Sequence, residues 1–351
     1  MLAKIHQTPP KPPLPTPHPP PVDLPEWRYH AVHWPTLAAG YTHLILFSAE
    51  PLASGALSGL DRLPAEDLLA EARAATRAAG SKLLVCFGGN GRSAGFSAMT
   101  RSKTARGRFV KAAVALVRSS GLDGVDLNWE YPGFAFGTGY REAEVAKDWA
   151  GLARLARELR AALPAAHALT LAYYPDGRQE QLLLSHGLPD SLDLMHAMAY
   201  DANEAGGHST LELAERAMDG AARAGLPLHK ITLGLPFYGR DRSKGDWTTF
   251  EDIVQQAHPL DPARDSFLLP DGRTTAFNGR ATIAAKTRSA LARGLGGVMV
   301  WEAGQDCRLV AVRRGDTTHA VTCPEGERSS LLVAVREAAR GGAKSGDSEE
   351  L

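Results

Sequence analysis

An eightfold β/α barrel is the fold that this sequence predicts, and three observations lead to it. Short apolar runs alternate with helical patterns along most of the 351 residues, and such alternation produces parallel strands joined by right-handed crossovers. Hydrophobic residues make up 44% of the chain, enough for a sizeable core. Acids, tyrosines, an arginine and a tryptophan gather at the C-terminal ends of the runs, the end at which such barrels carry their function.

The first legible strand is YTHLILFSA (41 to 49), followed by a helical pattern over 65 to 80. KLLVCFGG (82 to 89) is the next strand, with its helix over 106 to 121. A strand within GLDGVDLNWEYPG (121 to 133) leads to the long helix 142 to 163. ALTLAYY (168 to 174) pairs with helix 179 to 188, and DLMHAMAYD (193 to 201) with helix 211 to 225. KITLGLPFYGR (230 to 240), helix 281 to 294, strand GGVMVWEAG (296 to 304) and helix 329 to 342 close the series.

Seven strands are thus legible, and the eighth should precede residue 41. The candidate is EWRYHAVHW (26 to 34), but the six residues after it are too few for a crossover helix. The first strand is therefore expected to be degenerate or missing. Residues 9 to 21 (PPKPPLPTPHPPP) favour extended polyproline geometry, so 1–23 is assigned to a proline-rich tail, 24–342 to the barrel and 343–351 to a polar tail. No large insertion domain is evident.

Charge excludes several classes of function. Lys plus Arg and Asp plus Glu both count 39, leaving no net field to recruit nucleic acid or an anionic membrane. No apolar run has the length to span a bilayer, and the N-terminal residues lack the apolar core of a secretory leader. GGNGRSAG (88 to 95) lacks the spacing of either nucleotide-binding glycine motif, and the histidines and cysteines lack metal-site spacing, so no cofactor or metal is expected. Cys86 lies in an apolar run and reads as a core residue, whereas Cys307 and Cys323 bracket a short segment, a candidate disulfide loop in an oxidising compartment. His43 and His196 lie inside strands and read as hydrogen-bonded core residues; Trp129 and Trp149 read as packing.

The stretch at 121 to 133 carries the chemistry. Alternate side chains of a strand share a face, so Asp126, Asn128 and Glu130 point one way while Val125, Leu127 and Trp129 point the other. Read with the other strand ends, this acidic face meets Gly88 and Gly89, Tyr200 and Asp201, Tyr238 and Arg240, and Trp301 and Glu302 at one mouth. Burial and the like charge of Asp126 are expected to push Glu130 toward its protonated form, the state a leaving oxygen needs in a proton donor.

DGVDLNWEYPG resembles the Asp-x-x-Asp-x-Asp-x-Glu signature of glycoside hydrolase family 18, the chitinases and their relatives. KLLVCFGG resembles the family's Ser-x-Gly-Gly strand with Cys86 in the serine position, and FSAMTRSKTARGRFV (96 to 110) the segment after it. MAYD (198 to 201), GLPFYGR (234 to 240), FNGRATIAAK (277 to 286) and GLGGVMVW (294 to 301) resemble later family motifs in the same order. The resemblance implies a (β/α)8 barrel and retaining hydrolysis in which the sugar's own 2-acetamido group is the nucleophile. It implies Glu130 as acid/base, Asp126 as charge relay toward position 128, Tyr200 as partner of the acetamido oxygen and Asp201 as support for the distorted sugar. Trp301 becomes the apolar floor and Arg240 a holder of sugar hydroxyls. Tyr131, Met198, Tyr238 and Asp123 join the substrate-facing set, Asp123 also bracing the strand start. Chitin or N-acetylglucosamine oligosaccharides, an extracellular or secretory setting, no cofactor and a monomer are implied likewise.

Position 128 departs from the pattern, holding asparagine where the family has aspartate. The amide brings no negative charge to a cationic intermediate, so reduced activity is expected. A chitin-binding lectin on the same scaffold and an endo-β-N-acetylglucosaminidase acting on N-glycans are the alternatives.

Overall fold

Eight parallel strands follow one another around a closed ring in chain order. They are Pro21–Pro25 (β1), His43–Pro51 (β2), Lys82–Gly88 (β3), Gly124–Asn128 (β4), Ala168–Tyr173 (β5), Leu194–Ala197 (β6), Ile231–Pro236 (β7) and Gly297–Trp301 (β8). β1 closes the ring by pairing with both β2 and β8. The computed structural model describes residues 19–202, 207–241 and 246–344. No helix among them is long and apolar enough to cross a membrane.

The first strand is present, upstream of the segment expected to hold it. β1 reads PVDLP, and its register runs from Pro21 opposite His43 to Pro25 opposite Phe47. Proline at both ends removes two backbone donors, which disguises the strand as part of the proline-rich tail. Only Val22 pairs with β8, opposite Val300. The boundary of the tail at residue 23 therefore falls inside a barrel strand. The segment 26 to 34 is instead the start of the first crossover: a 3-10 turn at Glu26–Arg28, then helix α1 (Trp34–Gly40), whose N-cap His33 accepts from the Thr36 amide.

Around the barrel stand α2 (Glu66–Ala79), α3 (Phe96–Arg101), α4 (Lys103–Ser119), α5 (Glu142–Ala162), α6 (Arg178–Ser185) and α7 (Leu211–Ala224). The layer continues through α8 (Phe250–Gln256), α9 (Arg280–Ala292) and α10 (Leu331–Lys344). Ser102 and Thr210 cap α4 and α7 by accepting from the third amide beyond them. The main core lies between helices and strands, where Val125, Leu127, Trp149, Leu155 and Leu169 are buried. A second apolar layer inside the barrel contains Ile45, Phe47, Leu84, Cys86 and Ala168.

The segment 230 to 240, expected as one strand, is two. β7 ends at Pro236, Phe237 donates to the Trp301 carbonyl at 2.8 Å, and the chain then enters a separate four-stranded antiparallel sheet. Tyr238–Asp241 pairs there with Trp247–Thr249 and Thr274–Ala276, and the latter with Ser266–Leu268. Cys307 and Cys323 form a disulfide, while Cys86 is a buried free thiol.

Candidate active site

β4 realises the alternation seen in its sequence. Val125 and Leu127 join the outer core, Trp129 stacks on Phe96 with ring centroids 5.1 Å apart, and Asp126 and Asn128 are buried within the barrel. The backbone beyond the strand is held by Ser93, whose hydroxyl accepts from the Glu130 amide at 3.1 Å and faces the Gly89 and Asn128 carbonyls. Gly88 and Gly89, both at φ +103°, make this approach possible. A Cβ on Gly88 would lie 2.2 Å from the Asn128 carbonyl oxygen, and one on Gly89 2.2 Å from the Phe47 ring.

A cavity of about 250 Å³ opens at this C-terminal end. Trp301, Phe47 and Met198 supply apolar surface, Tyr131, Tyr174 and Tyr200 aromatic walls, and Asn128, Glu130 and Asp201 the polar groups. Trp27, Asn90, Arg92 and Trp247 complete its lining. Trp301 is fixed edge-on to Phe47 at 4.8 Å, and Tyr131 lies 5.8 Å from Tyr174. Arg92 is anchored to Glu26 at 2.5 Å and lies over the Phe47 ring.

The acids in and beneath this cavity differ in state. Burial lifts Glu130 from 4.5 to about 7, and the charge of Asp201 adds to the shift, against hydrogen bonds from the Asn128 side chain and the Asn90 amide. Asp201, and not Asp126 as expected, is the acid whose charge raises Glu130. Burial likewise lifts Asp126 from 3.8 to about 6, although the Thr170 hydroxyl, at 2.6 Å, and the Cys86 thiol favour its ionised form. Asp23 of β1 is also raised, by burial and then by the charges of Asp126, Glu302 and Glu130.

Asp201 is shifted in the opposite direction. Burial opposes its charge, yet His208, Tyr238 and Arg240 together hold its carboxyl below the ordinary range. Tyr238 donates to its Oδ1 at 2.7 Å, and the Arg240 guanidinium is 2.9 Å from the same oxygen. Arg240 also lies over Trp247, whose ring stacks on Tyr238 with centroids 4.4 Å apart. Asp201 has φ +60°, the left-handed region that non-glycine residues occupy at a cost.

The sequence profile described as Glycosyl hydrolases family 18 matches residues 27–306. The chain belongs to glycosyl hydrolase family 18. Chitotriosidase-1 of Mus musculus is 25% identical over 268 residues, 59% of this chain and 54% of that protein. Chitinase 2 of Yersinia entomophaga is 27% identical over 326 residues, 74% of this chain and 50% of that protein. The family 18 chain thus spans about half the length of these curated relatives. Among solved structures, catalytic domain 2 of the Ostrinia furnacalis Group II chitinase superposes with a TM-score of 0.73 at 20% identity, covering 93% of this chain and 97% of that one. A chitinase from Bacteroides thetaiotaomicron gives 0.70 at 19% identity, covering 95% and 99%. At these identities the likeness speaks to the fold. A mutant of the Ostrinia domain has been solved in complex with (NAG)5.

Of the site residues read from the sequence of this family 18 chain, Asn128, Glu130, Tyr131, Met198, Tyr200, Asp201 and Trp301 line one cavity. Asp126 lies beneath them, with His196 Nε2 3.8 Å from its Oδ1. Tyr238 and Arg240 act on the cavity through Asp201 and Trp247. Asp123 is not brought to it: its Oδ2 accepts from the Leu83 amide at 2.9 Å at the opposite end of β4, where it only braces the strand start. Glu302 is tied to Arg28 at 2.7 Å and Trp27 at 3.1 Å behind the wall. Trp27, Asn90, Arg92, Tyr174 and Trp247 were not legible as site residues. Tyr174 is the last residue of a strand run, a signal that could have found it; Trp247 lies beyond the barrel strands and carries none.

Proposed function

We propose that this chain hydrolyses β-1,4 linkages between N-acetylglucosamine units with retention of configuration, the substrate's 2-acetamido group serving as nucleophile. Glu130 gives its proton to the glycosidic oxygen while the acetamido carbonyl oxygen attacks the anomeric carbon; the bond to the leaving sugar breaks and an oxazolinium ion forms. Glu130, now a carboxylate, takes a proton from water, whose oxygen adds at the anomeric carbon and reopens the ring to the acetamide. Asn128 and Tyr200 orient the acetamido group, Asp201 supports the distorted sugar, and Trp301 forms its floor.

One observation carries this reading: Glu130 stands in the cavity with its carboxyl raised to about 7, so that it bears a proton near neutrality beside an ionised Asp201. Two acids pushed apart in this way suit an acid/base and a charge stabiliser. Membership of family 18 and the (NAG)5 complex of the Ostrinia relative support the substrate class. Reducing-sugar release from labelled chitotriose by wild type and Glu130→Gln is the test, with turnover expected from wild type alone.

Asn128 favours a second reading. Its Oδ1 is buried without a hydrogen-bond partner among the described residues, and its amide places no charge beside a cationic intermediate. Equal background release by both proteins, with chitotriose still bound, would make the chain a chitin-binding lectin.

A further inference from the structure

Lys286 of α9 is fully buried, yet among the described residues it forms no ion pair with a carboxylate. Its Nζ donates to three oxygens: the Ser209 carbonyl at 2.8 Å, the Ser209 hydroxyl at 2.7 Å and Asn278 Oδ1 at 2.7 Å. Burying an ammonium group is costly, and an apolar side chain would pack α9 against the barrel without that cost. The three acceptors show where the cation acts. All of them hold the short turn at residues 207–209, which has no regular structure of its own.

From that turn two connections run to one place. The Ser209 hydroxyl, fixed by Lys286, donates to the Ala199 carbonyl at 2.7 Å, two residues before Asp201. Asn278, fixed by the same Nζ, donates to the Ser209 carbonyl at 2.7 Å. On its other side the turn presents His208, whose carbonyl accepts from the Ala202 amide at 3.0 Å and whose Nδ1 lies 3.4 Å from the Asp201 amide nitrogen and 3.5 Å from its Oδ1. His208 Nε2 lies 3.3 Å from the Tyr238 carbonyl, placing the ring between Asp201 and the residue that donates to it. Asp201 is the one non-glycine among the described residues with positive φ, a conformation that persists only where the surroundings over-determine it.

We infer that Lys286 is a positioning residue for Asp201: from the outer helix layer it clamps the 207–209 turn, and the turn holds Asp201 in its left-handed conformation with its carboxylate on Tyr238. What Asp201 then does for a bound sugar rests on the hydrolase reading above; the clamp itself does not. Burial lowers Lys286 to about 7, and the charges of Asp265 and Glu212 favour its protonated form.

The test uses Lys286→Met and Ser209→Ala in the full chain, each read in two ways. Crystal structures are expected to show Asp201 leaving positive φ and its Oδ1 parting from the Tyr238 hydroxyl. On labelled chitotriose, kcat is expected to fall about ten- to a hundredfold, with KM within about threefold of wild type. Asp201 unmoved in a folded variant overturns the inference; Asp201 moved with kcat unchanged upholds the clamp and removes Asp201 from the hydrolytic step. Should Lys286→Met fail to fold, Ser209→Ala decides, since it keeps the buried cation and two of its three acceptors. Wild type that hydrolyses nothing overturns the hydrolase reading instead, and the crystal geometry of Asp201 still decides the clamp.

Discussion

Tyr238 donates a hydrogen bond from its hydroxyl to Oδ1 of Asp201 across 2.7 Å, and the Arg240 guanidinium reaches the same oxygen at 2.9 Å. The bond joins the antiparallel sheet beyond β7 to the chain leaving β6, so Asp201 is held by an element outside the barrel. It also separates the states of two acids in one cavity: Asp201 is held ionised, and its charge helps keep the proton on Glu130.

Tyr238→Phe removes that donor while leaving the ring on Trp247. The variant is expected to lose about 1–2 kcal/mol of stability at neutral pH, the range of a hydrogen bond to a charged group at a partly exposed site. Asp201 lies below its unfolded value, so this stabilisation is present above the unfolded value and is lost as pH falls through the folded one. Urea unfolding of both proteins should therefore differ most near neutrality and converge in acid. The acidic limb of kcat/KM should move to higher pH in the variant, and a limb that stays in place would remove Tyr238 from the control of Asp201.

Glu130→Gln is expected to abolish turnover and to stabilise the fold above neutrality. A carboxyl raised from 4.5 to about 7 costs stability once the unfolded chain ionises, and the cost grows until the pH passes the folded value. The ceiling is about 3 kcal/mol, and about 1–2 kcal/mol after allowance for partial exposure. Thermal unfolding should show the variant ahead of wild type at pH 8 and level with it at pH 4. In wild type the alkaline limb of kcat/KM should fall near the Glu130 value, about 7.

The disulfide offers a prediction independent of the site. Cys307 and Cys323 are separated by 16 residues, and opening a loop of that size costs about 3 kcal/mol on the chain-entropy account. Cys307→Ser and Cys323→Ser should each lower the melting temperature, and reductant should lower that of wild type to match. Under denaturing, non-reducing conditions one thiol, Cys86, should titrate, against three after reduction. Three thiols without reductant would remove the bridge.

Much of this architecture was legible because strand period and strand end carry different information. Asp126 and Asn128 could be placed inside the barrel once the alternation was read with the polar ends of the other strands, and Tyr200 and Asp201 at its mouth from their position after an apolar run. β1 was hidden because proline at both ends leaves three ordinary residues in the strand, too few to show a period. Trp247 was hidden because the first residue of a short antiparallel strand has no sequence mark that aims it at a cavity formed by other elements. The source of the charge on Glu130 was misread for a related reason. Asp126 is its neighbour in the alternation, whereas Asp201 reaches it through the folding of β6 around the ring, a proximity that closure of the barrel creates.

Asn128→Asp tests the departure from the family pattern that lies in the cavity itself. The Asn128 amide donates to Glu130 and so works against its protonation, while its Oδ1 has no hydrogen-bond partner among the described residues. A carboxyl in its place removes the donor and adds a like charge, and both changes raise Glu130 further. Once Glu130 has given up its proton, the new carboxylate lies beside the oxazolinium ion in a site shielded from water, where such a charge is most effective. kcat on labelled chitotriose is expected to rise about ten- to a hundredfold, and the alkaline limb of the pH profile to move upward. The buried acids Asp23 and Asp126 oppose the added charge, so thermal stability at neutral pH should fall even as the rate rises. A rate that is unchanged or lower would mean that the cavity is built around the amide, and would favour carbohydrate binding over hydrolysis as its function.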